Sequence, residues 1–283
     1  MTHSPSAIRA LLAEHGLEAS RALGQNFVAD ANTVRKIVRL AGVRSGDRVV
    51  EVGAGLGSLT LALLDAGAEV TAIEVDKHLA PVLRSVVEPG GATVVEADAM
   101  VLDWAALLGP EDPARPWALV ANLPYNIAAP LVLDLLETAP AIERLVVLVQ
   151  LEVGERLAAG PGTKTYGIPS VKAAWFADVR RAGAIGRNVF WPAPNVDSGL
   201  VAWTGREPPT TAVSREQVFA VVDAAFAQRR KTLRGALSRL AGSPSAAEDA
   251  LRAAGVDPTA RGEVLDVTVY ARIAESLSGE APA

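Results

Sequence analysis

The fold is decided by the stretch Val49-Val50-Glu51-Val52-Gly53-Ala54-Gly55-Leu56-Gly57. Its first four residues are predicted to form a buried strand, and residues 58–66 after it a helix. A strand that enters a helix through a glycine turn is typical of nucleotide-binding loops in α/β proteins. A dinucleotide fingerprint would require glycine at position 58, which is serine. The loop therefore predicts a ligand smaller than a dinucleotide; the alternative is that the glycines only make a tight turn.

Apolar runs alternate with amphipathic runs beyond this loop, which predicts a parallel sheet with crossover helices on both faces. We predict strands at 48–52, 70–74, 93–96, 117–121, 145–149, 176–179 and 200–203. We predict helices at 32–41, 58–66, 79–87, 130–136 and 151–158 and, after a proline-containing linker at 205–211, at 215–226, 231–240, 246–254 and 268–276. The sequence therefore predicts two domains, an α/β domain over residues 1–205 and a small all-helical domain over residues 206–283.

The composition excludes several classes of enzyme. The 283 residues include no cysteine, so disulfide bonds and thiolate chemistry are excluded. The three histidines, His3, His15 and His78, have the spacing of neither a metal site nor a serine-hydrolase triad, so we predict no metal. No apolar run fits a signal peptide or a membrane span, and we therefore expect a cytoplasmic protein that does not bind membranes.

Two carboxylates follow predicted strands beside the glycine loop. Glu74 ends the second strand, 21 positions after Gly53, where its oxygens can accept hydrogen bonds from both hydroxyls of a ribose. Asp98 follows the third strand, where a carboxylate can meet an adenine edge. A phosphate loop is excluded, because Lys164 is preceded by Thr163 rather than by glycine. The loop and its two acids therefore predict a site for S-adenosylmethionine.

The turn Asn122-Leu123-Pro124-Tyr125 follows the fourth strand, at the edge where open α/β sheets bind their ligands. An exocyclic amine on adenine is a poor nucleophile, because its lone pair is delocalised into the ring. The Asn122 side-chain carbonyl and a backbone carbonyl can accept its two hydrogens and so direct the lone pair at a methyl donor. Pro124 stiffens the turn, and Tyr125 offers a ring on which a base can stack. The turn predicts methyl transfer to adenine; a purely structural turn covered by tyrosine is the alternative.

In their order and spacing these motifs resemble those of the ribosomal RNA adenine N6-dimethyltransferases, and the resemblance covers nearly the whole chain. The further matching segments are Leu23-Gly24-Gln25-Asn26-Phe27, Tyr166-Gly167, Phe190-Trp191-Pro192-Ala193-Pro194-Asn195-Val196-Asp197-Ser198, Ala225-Phe226-Ala227-Gln228-Arg229-Arg230-Lys231-Thr232 and Arg261-Gly262-Glu263-Val264-Leu265. Two positions depart from the family pattern. The residues Arg21-Ala22, which precede the first of these segments, are less basic than is usual in the family. Asn195 stands where lysine is common.

The resemblance implies a Rossmann-like class I methyltransferase sheet with S-adenosylmethionine as the cofactor. The implied cofactor-binding residues are Gln25, Asn26, Val28, Gly53, Gly55, Glu74, Asp98 and Asn122. The implied catalytic residues are Asn122, Leu123, Pro124, Tyr125 and Phe190, with Phe190 facing Tyr125 across an extruded adenine. The implied reaction is N6,N6-dimethylation of two adjacent adenosines in small-subunit ribosomal RNA during ribosome assembly. The implied partner of the monomer is the precursor of the small ribosomal subunit.

Two other functions stay open. One is methylation of adenine in large-subunit ribosomal RNA, which confers antibiotic resistance; the helical C-terminal segment argues against it. The other is a nucleic-acid-binding factor that uses the same fold for assembly or transcription without catalysis. The intact residues Asn122, Pro124 and Tyr125 argue against that second alternative.

A local basic cluster contrasts with the net charge of -5. Five basic residues without an acid among them fall between positions 229 and 239: Arg229, Arg230, Lys231, Arg234 and Arg239. On a helix beginning near Arg229, positions 230 and 234 share a face, and so do positions 231 and 234, which makes a stripe that can follow a phosphate backbone. We therefore predict that Arg229, Arg230, Lys231 and Arg234 bind RNA, with a solvated helix face as the alternative.

Overall fold

A computed structural model describes residues 2–20 and 23–279 of the chain. The departure from the family pattern at Arg21-Ala22 lies outside the described residues. The chain divides into two compact units. The first comprises residues up to 155 together with 179–205, and the second comprises 156–178 together with the residues from 206 onward.

The secondary structure of the described residues alternates between strand and helix in the first unit and is helical in the second. The strands are β1 Phe27–Val28, β2 Arg48–Val52, β3 Glu69–Glu74, β4 Thr93–Glu96, β5 Trp117–Asn122, β6 Ile142–Gln150, β7 Ala177–Ile185, β8 Phe190–Trp191 and β9 Ser198–Gly205. The helices are α1 Pro5–Glu14, α2 Ala31–Leu40, α3 Ser58–Asp65, α4 Leu79–Val87, α5 Trp104–Leu108, α6 Ala128–Thr138, α7 Leu151–Leu157, α8 Ile168–Phe176, α9 Arg215–Ala227, α10 Leu233–Leu237, α11 Pro244–Ala253 and α12 Val267–Ser278.

A seven-stranded sheet in the order β4-β3-β2-β5-β6-β9-β7 organises the first unit. The neighbours from β4 to β6 pair in parallel, and β9 pairs antiparallel with β6. Residues Trp117 to Ala121 of β5 are all buried, as expected for a strand that helices cover on both faces. The predicted α/β fold with a mostly parallel sheet is therefore confirmed, and the parallel strands direct their carboxyl ends to one edge.

The N-terminal residues form a helix that the sequence analysis did not predict. Helix α1 begins at Pro5, and the Ser4 hydroxyl accepts a hydrogen bond from the backbone N–H of Ala7. Ile8 and Leu12 on this helix are buried, in a cluster that includes Phe27, Leu56 and Leu79. Burial of one such aliphatic side chain contributes about 1.5–3 kcal/mol, which is enough to hold a short helix against the sheet domain.

Residues 156–178 join the helical unit, although the sequence prediction assigned them to the first domain. Their aromatic and aliphatic side chains belong to the hydrophobic cluster of that unit: Tyr166, Val171 and Trp175. The Trp175 ring meets the Phe219 ring edge to face with centroids 5.8 Å apart. Aromatic pairs of this kind add to the energy of burial, so these contacts stabilise the segment within the core of the helical unit.

The polypeptide between α9 and α10 differs from the predicted helix over 231–240. Residues Gln228 to Lys231 lie in a turn, and α10 spans only Leu233–Leu237. The Thr232 side chain accepts a hydrogen bond from the backbone N–H of Gly235, so Thr232 is the N-cap of a new helix. A residue that caps a helix N-terminus separates it from the preceding helix.

Within the described residues, no helix is long and apolar enough to cross a bilayer.

Candidate active site

A cavity opens at the edge of the sheet where the parallel strands end. Five segments line it: the stretch that ends in Phe27, the glycine loop, the end of β3, the residues after β4, and the turn after β5. The lining residues are Leu23, Gly24, Gln25, Asn26, Phe27, Val52, Gly53, Gly55, Ile73, Glu74, Val75, Ala97, Asp98, Ala99, Asn122, Leu123, Pro124, Tyr125 and Ile127. The structure thus brings together the cofactor residues and the Asn-Leu-Pro-Tyr turn that the sequence analysis selected, except Val28 and Phe190.

Two glycines of the loop lie at the cavity with positive φ angles, +70° for Gly53 and +59° for Gly55. A Cβ atom on Gly53 would lie 3.3 Å from Cδ of Pro124, and a Cβ on Gly55 would lie 2.9 Å from the Phe27 ring. Non-glycine side chains are therefore disfavoured twice, by the backbone conformation and by the neighbour. The loop is packed directly against the Asn-Leu-Pro-Tyr turn and the N-terminal segment.

Glu74 closes the loop from the end of β3. Its side chain is 5% exposed. One carboxylate oxygen accepts the backbone N–H of Gly55 at 2.7 Å, and the other accepts the N–H of Asp76 at 3.0 Å. Burial raises the pKa of the Glu74 carboxyl, against the opposing effect of these two hydrogen bonds. Each carboxylate oxygen accepts more than one bond, so Glu74 can shape the loop and still bind a ligand hydroxyl.

Glu51 is a buried acid beneath the loop that the sequence analysis did not select. It is 2% exposed, and the Thr60 hydroxyl donates a hydrogen bond to it at 2.6 Å. Burial raises the pKa of the Glu51 carboxyl to about 8, with a further contribution from the charge of Glu74. A fully buried carboxylate is costly, so this group holds a proton at neutral pH. The sequence analysis placed Glu51 in a buried strand, but it did not predict the hydrogen bond to Thr60 or the raised pKa of the carboxyl.

The segment before β1 is tied to the end of β3 through Gln25. The Gln25 side-chain amide donates to the Asp76 carboxylate at 2.8 Å, and its oxygen accepts the backbone N–H of Ser20 at 2.7 Å. The side chain of Asn26 donates to the backbone carbonyl of Gly24. The structure therefore gives both predicted residues a role in holding this segment over the cavity. Phe27, which the sequence analysis left without a role, contributes its ring to the cavity wall.

Asn122 is the last residue of β5 and has one end of its side chain fixed. The amide nitrogen donates to the backbone carbonyl of Asn26 at 2.9 Å. This bond fixes the orientation of the carboxamide, with its nitrogen toward Asn26. The side-chain oxygen is therefore the atom that can accept a hydrogen bond from a ligand. Leu123 is 1% exposed and anchors the turn, since its backbone N–H donates to the carbonyl of Leu148.

Tyr125 and Phe190 occupy different surroundings. Tyr125 is half-buried, lines the cavity and shares a 2.7 Å hydrogen bond between its hydroxyl and that of Ser198. Phe190 is 5% exposed and belongs to the core cluster that contains Val28. The short strands β1 and β8 pair Val28 with Phe190, which places both of these predicted site residues in the core and away from the cavity lining.

Asp98 stands at the cavity rim after β4 and is exposed. One of its carboxylate oxygens accepts the backbone N–H of Met100 at 2.9 Å. This bond orients the side chain, and the exposure leaves the carboxylate accessible to a polar ligand edge. Elsewhere, no three histidine, aspartate or glutamate side chains in the described part of the chain are grouped to hold a metal ion.

The predicted RNA-binding residues belong to the second unit and lie in the turn and at the start of α10, rather than in a stripe along one helix. Arg229 donates to the carbonyl of Tyr166 and lies 3.8 Å from Glu263. Arg234 forms an ion pair with Glu248 at 3.3 Å. Arg230 and Lys231 are exposed in the turn and line a shallow depression with Phe226. The predicted helical stripe was therefore wrong, and ion pairs with acids partly neutralise Arg229 and Arg234.

The strand order and the site define a class of protein. A mostly parallel sheet, a glycine loop after β2, a carboxylate at the end of β3 and an Asn-Leu-Pro-Tyr turn after β5 are the arrangement of a class I methyltransferase.

Comparison with known proteins agrees with this class. The chain is 57% identical over 277 residues to "Ribosomal RNA small subunit methyltransferase A" of Arthrobacter sp. (strain FB24), covering 96% of this chain and 92% of that protein. It is 60% identical over 278 residues to the protein of the same name from Streptomyces coelicolor, covering 96% and 95%. The crystal structure of the 23S rRNA methyltransferase ErmE superposes with a TM-score of 0.67 at 28% identity, over 89% of this chain and 100% of that one.

The family follows from the sequence match. The pattern of the ribosomal RNA adenine dimethylases matches residues 16–278. The chain therefore belongs to the ribosomal RNA adenine dimethylase family.

Proposed function

We propose that this protein transfers methyl groups from S-adenosylmethionine to the N6 atoms of two adjacent adenosines in small-subunit ribosomal RNA. The observation that carries the proposal is the fixed carboxamide of Asn122, whose amide is bound to the Asn26 carbonyl and whose oxygen is available to an amine. Its place beside the glycine loop supports transfer between a bound methyl donor and a base. The relatives at 57% and 60% identity support the small subunit as the target.

The residues at the loop fit S-adenosylmethionine. A Cβ on Gly53 or Gly55 would enter space taken by Pro124 or Phe27, so the loop backbone itself faces the cavity. Glu74 offers carboxylate oxygens for two ribose hydroxyls, and Asp98 at the rim offers one for an adenine amine. When bound, the cofactor supplies an electrophilic methyl group on a sulfonium. Gln25 would hold the segment that lines the cavity in place through its bond to Asp76.

The chain's own residues act on the target base by orientation. The Asn122 oxygen accepts one hydrogen of the adenine amine and so directs the nitrogen lone pair toward the methyl donor. Tyr125 provides the platform on which the extruded base stacks. Pro124 limits the movement of the turn between them. No protein base is required, because the amine becomes acidic only after it has been methylated.

The proposed partner is the precursor of the small ribosomal subunit, met in the cytoplasm by a monomer. The exposed cations Arg230 and Lys231 support contact with RNA phosphates, and Arg229 and Arg234 would contribute after giving up their ion pairs with acids. Basic side chains on the second unit support its role as the docking part of the protein.

The rival function is methylation of large-subunit ribosomal RNA, as the name of the 23S rRNA methyltransferase ErmE states for that protein. It is less well supported, because identity to that structure is 28% against 57% and 60% for the small-subunit enzymes. A non-catalytic role is disfavoured by the complete Asn-Leu-Pro-Tyr turn at the cavity.

The test is methyl transfer from radiolabelled S-adenosylmethionine to three acceptors side by side: naked small-subunit RNA, small subunits that lack these methyl groups, and large subunits. We expect label in the undermethylated small subunits, recovered as N6,N6-dimethyladenosine. Protein carrying Asn122→Ala, prepared identically, controls for contaminating activity. Label confined to large subunits would favour the rival, and no label in any acceptor would contradict enzymatic function.

A further inference from the structure

One hydrogen bond links the catalytic turn to a strand two positions away in the sheet. The Tyr125 hydroxyl and the Ser198 hydroxyl are 2.7 Å apart, and Ser198 is fully buried at 0% exposure. Tyr125 follows β5 and Ser198 begins β9, with β6 between them. Strands at this separation are about 9–10 Å apart, so the tyrosine side chain crosses the carboxyl end of β6 to reach its partner.

Ser198 is a rigid anchor. Strand β9 pairs with β6 along its length, from Arg144 opposite Thr204 to Gln150 opposite Ser198. The next residue back, Asp197, accepts the backbone N–H of Leu151 through its carbonyl. Main-chain bonds on both sides thus fix the position of the Ser198 Oγ atom. Tyr125 lies in a turn without ladder bonds, so the hydroxyl link is what restrains the far end of its ring.

Either hydroxyl can donate in this bond, since both groups carry a proton and lone pairs. Burial raises the pKa of the Tyr125 hydroxyl, and the nearby Asp197 carboxylate acts in the same direction against the hydrogen bond to Ser198, so the phenol stays protonated. Loss of the phenol hydroxyl would leave the Ser198 oxygen buried without its partner, which is unfavourable.

We propose that Ser198 is a positioning residue for the methyl transfer: by holding the Tyr125 hydroxyl it sets where the extruded adenine stacks relative to the Asn122 oxygen. This inference rests on the proposed function. A ring held at its backbone end by a proline-stiffened turn and at its hydroxyl by the sheet cannot swing out of the cavity. The base on that ring is therefore presented to Asn122 in one position, which is the condition for an efficient orienting mechanism.

The role differs from simple stabilisation in what it predicts. A structural hydroxyl affects the melting temperature and leaves the bound base undisturbed. A positioning hydroxyl affects the rate of transfer on the bound complex, and its effect disappears once the Tyr125 hydroxyl is gone. Ser170 provides a matched control, because it is 2% exposed, donates to the Arg156 carbonyl, belongs to the second unit and is not among the residues that line the cavity.

The experiment compares Ser198→Ala, Tyr125→Phe, the double variant and Ser170→Ala in single-turnover methylation of undermethylated small subunits. We expect Ser198→Ala and Tyr125→Phe each to slow transfer about 3- to 10-fold, as the loss of one neutral hydrogen bond predicts. The double variant should be no slower than either single one, since both remove the same contact. Affinity for the cofactor should stay unchanged, and Ser170→Ala should change only the melting temperature.

A fluorescence measurement distinguishes an effect on the position of the target base from an effect on the stability of the protein. The probe is small-subunit RNA with 2-aminopurine in place of the first target adenosine. Stacking on Tyr125 should quench the 2-aminopurine fluorescence in the wild-type complex, and the quenching should be weaker in the complex with Ser198→Ala. A wild-type rate and wild-type quenching in Ser198→Ala would overturn the inference, as would additive losses in the double variant. If the wild-type protein does not methylate small subunits at all, the proposed function fails first and the inference falls with it.

Discussion

The glycine-loop region and the basic turn of the second unit are built in opposite ways. In the first, Glu74 already holds the backbone N–H groups of Gly55 and Asp76, and Gln25 already holds Asp76. In the second, Arg230 and Lys231 extend into solvent from a turn. A small ligand binds through short hydrogen bonds, which require a site whose polar groups are already oriented. A phosphate backbone is attracted electrostatically over a longer distance, so the cations that bind it need not be oriented in advance.

The comparison leads to different expectations for substitutions. Changes in the packed region should alter specific steps by large factors, because each group there has several partners. Changes in the basic turn should act in small increments that depend on salt. Four predictions test this difference, in order of decreasing effect.

The largest effect is expected for Asn122→Ala, which removes the oxygen that orients the amine. Turnover should fall about 100-fold, the loss typical of a misplaced reacting group, while RNA binding stays near that of the wild type. Single-turnover rates and filter binding on the same preparation measure the two quantities. Full activity would leave the proposed mechanism without an orienting group.

Glu74→Ala should weaken S-adenosylmethionine binding at least about tenfold, because a charged acceptor contributes about 1.5–3 kcal/mol per hydrogen bond. Calorimetry on the folded variant measures the affinity. Glu69→Ala is the matched control, since Glu69 begins the same strand but faces Arg115 at the surface. Equal affinities in all three proteins would remove Glu74 from the cofactor site.

Glu51→Gln should become more stable relative to the wild type as pH rises. The folded pKa of Glu51 is raised to about 8, so between about pH 4.5 and 8 the folded protein holds a proton that the unfolded chain releases. Wild-type stability therefore falls by up to about 1.4 kcal/mol per pH unit in that window, and glutamine abolishes the fall.

Melting temperatures of the two proteins from pH 5 to 9 measure this effect. The difference should grow through the window and level off above about pH 8. Glu74 and Thr60 face residue 51 in both proteins, so the titration of Glu74 itself contributes to both curves. A difference that is constant with pH would mean that Glu51 is ionised throughout.

The smallest effects are expected in the basic turn. Arg230→Ala combined with Lys231→Ala should lower the salt dependence of RNA binding by about 0.7 to 0.9 per residue in the log-log slope. Arg234→Ala should lower it by less, because Glu248 at 3.3 Å already offsets that charge. If the variants and the wild type show equal slopes of RNA affinity against salt concentration, the basic residues do not contact RNA and form only a solvated surface.

The parts of the fold that the sequence predicted are those fixed by short-range constraints. The glycine loop, Glu74 at the end of β3 and Asn122 at the end of β5 follow from the strand runs that precede them. Parallel pairing then brings these ends to one edge without further information. That is why the cavity contains most of the selected residues.

The parts that the sequence did not predict depend on pairing between distant segments. Phe27 lines the cavity, whereas Val28 and Phe190 are in the core, because two-residue strands pair across more than 160 positions of sequence. No local pattern encodes such a pairing. In contrast, the turn before α10 had a local signal, since Thr232 precedes Gly235 at the spacing of a helix cap.

The glycine loop has a consequence for how this sequence can change over generations. Gly53 faces Pro124, Gly55 faces Phe27, and a Cβ on Gly57 would lie 2.5 Å from a methyl group of Val87. The contact part of the cost of a side chain at each glycine therefore depends on the residue at a different distant position. Because the positive φ angles of all three glycines disfavour side chains whatever their neighbours, a paired change could relieve only that contact part, and the three contacts would appear as pairwise epistasis on top of a cost that no neighbour removes.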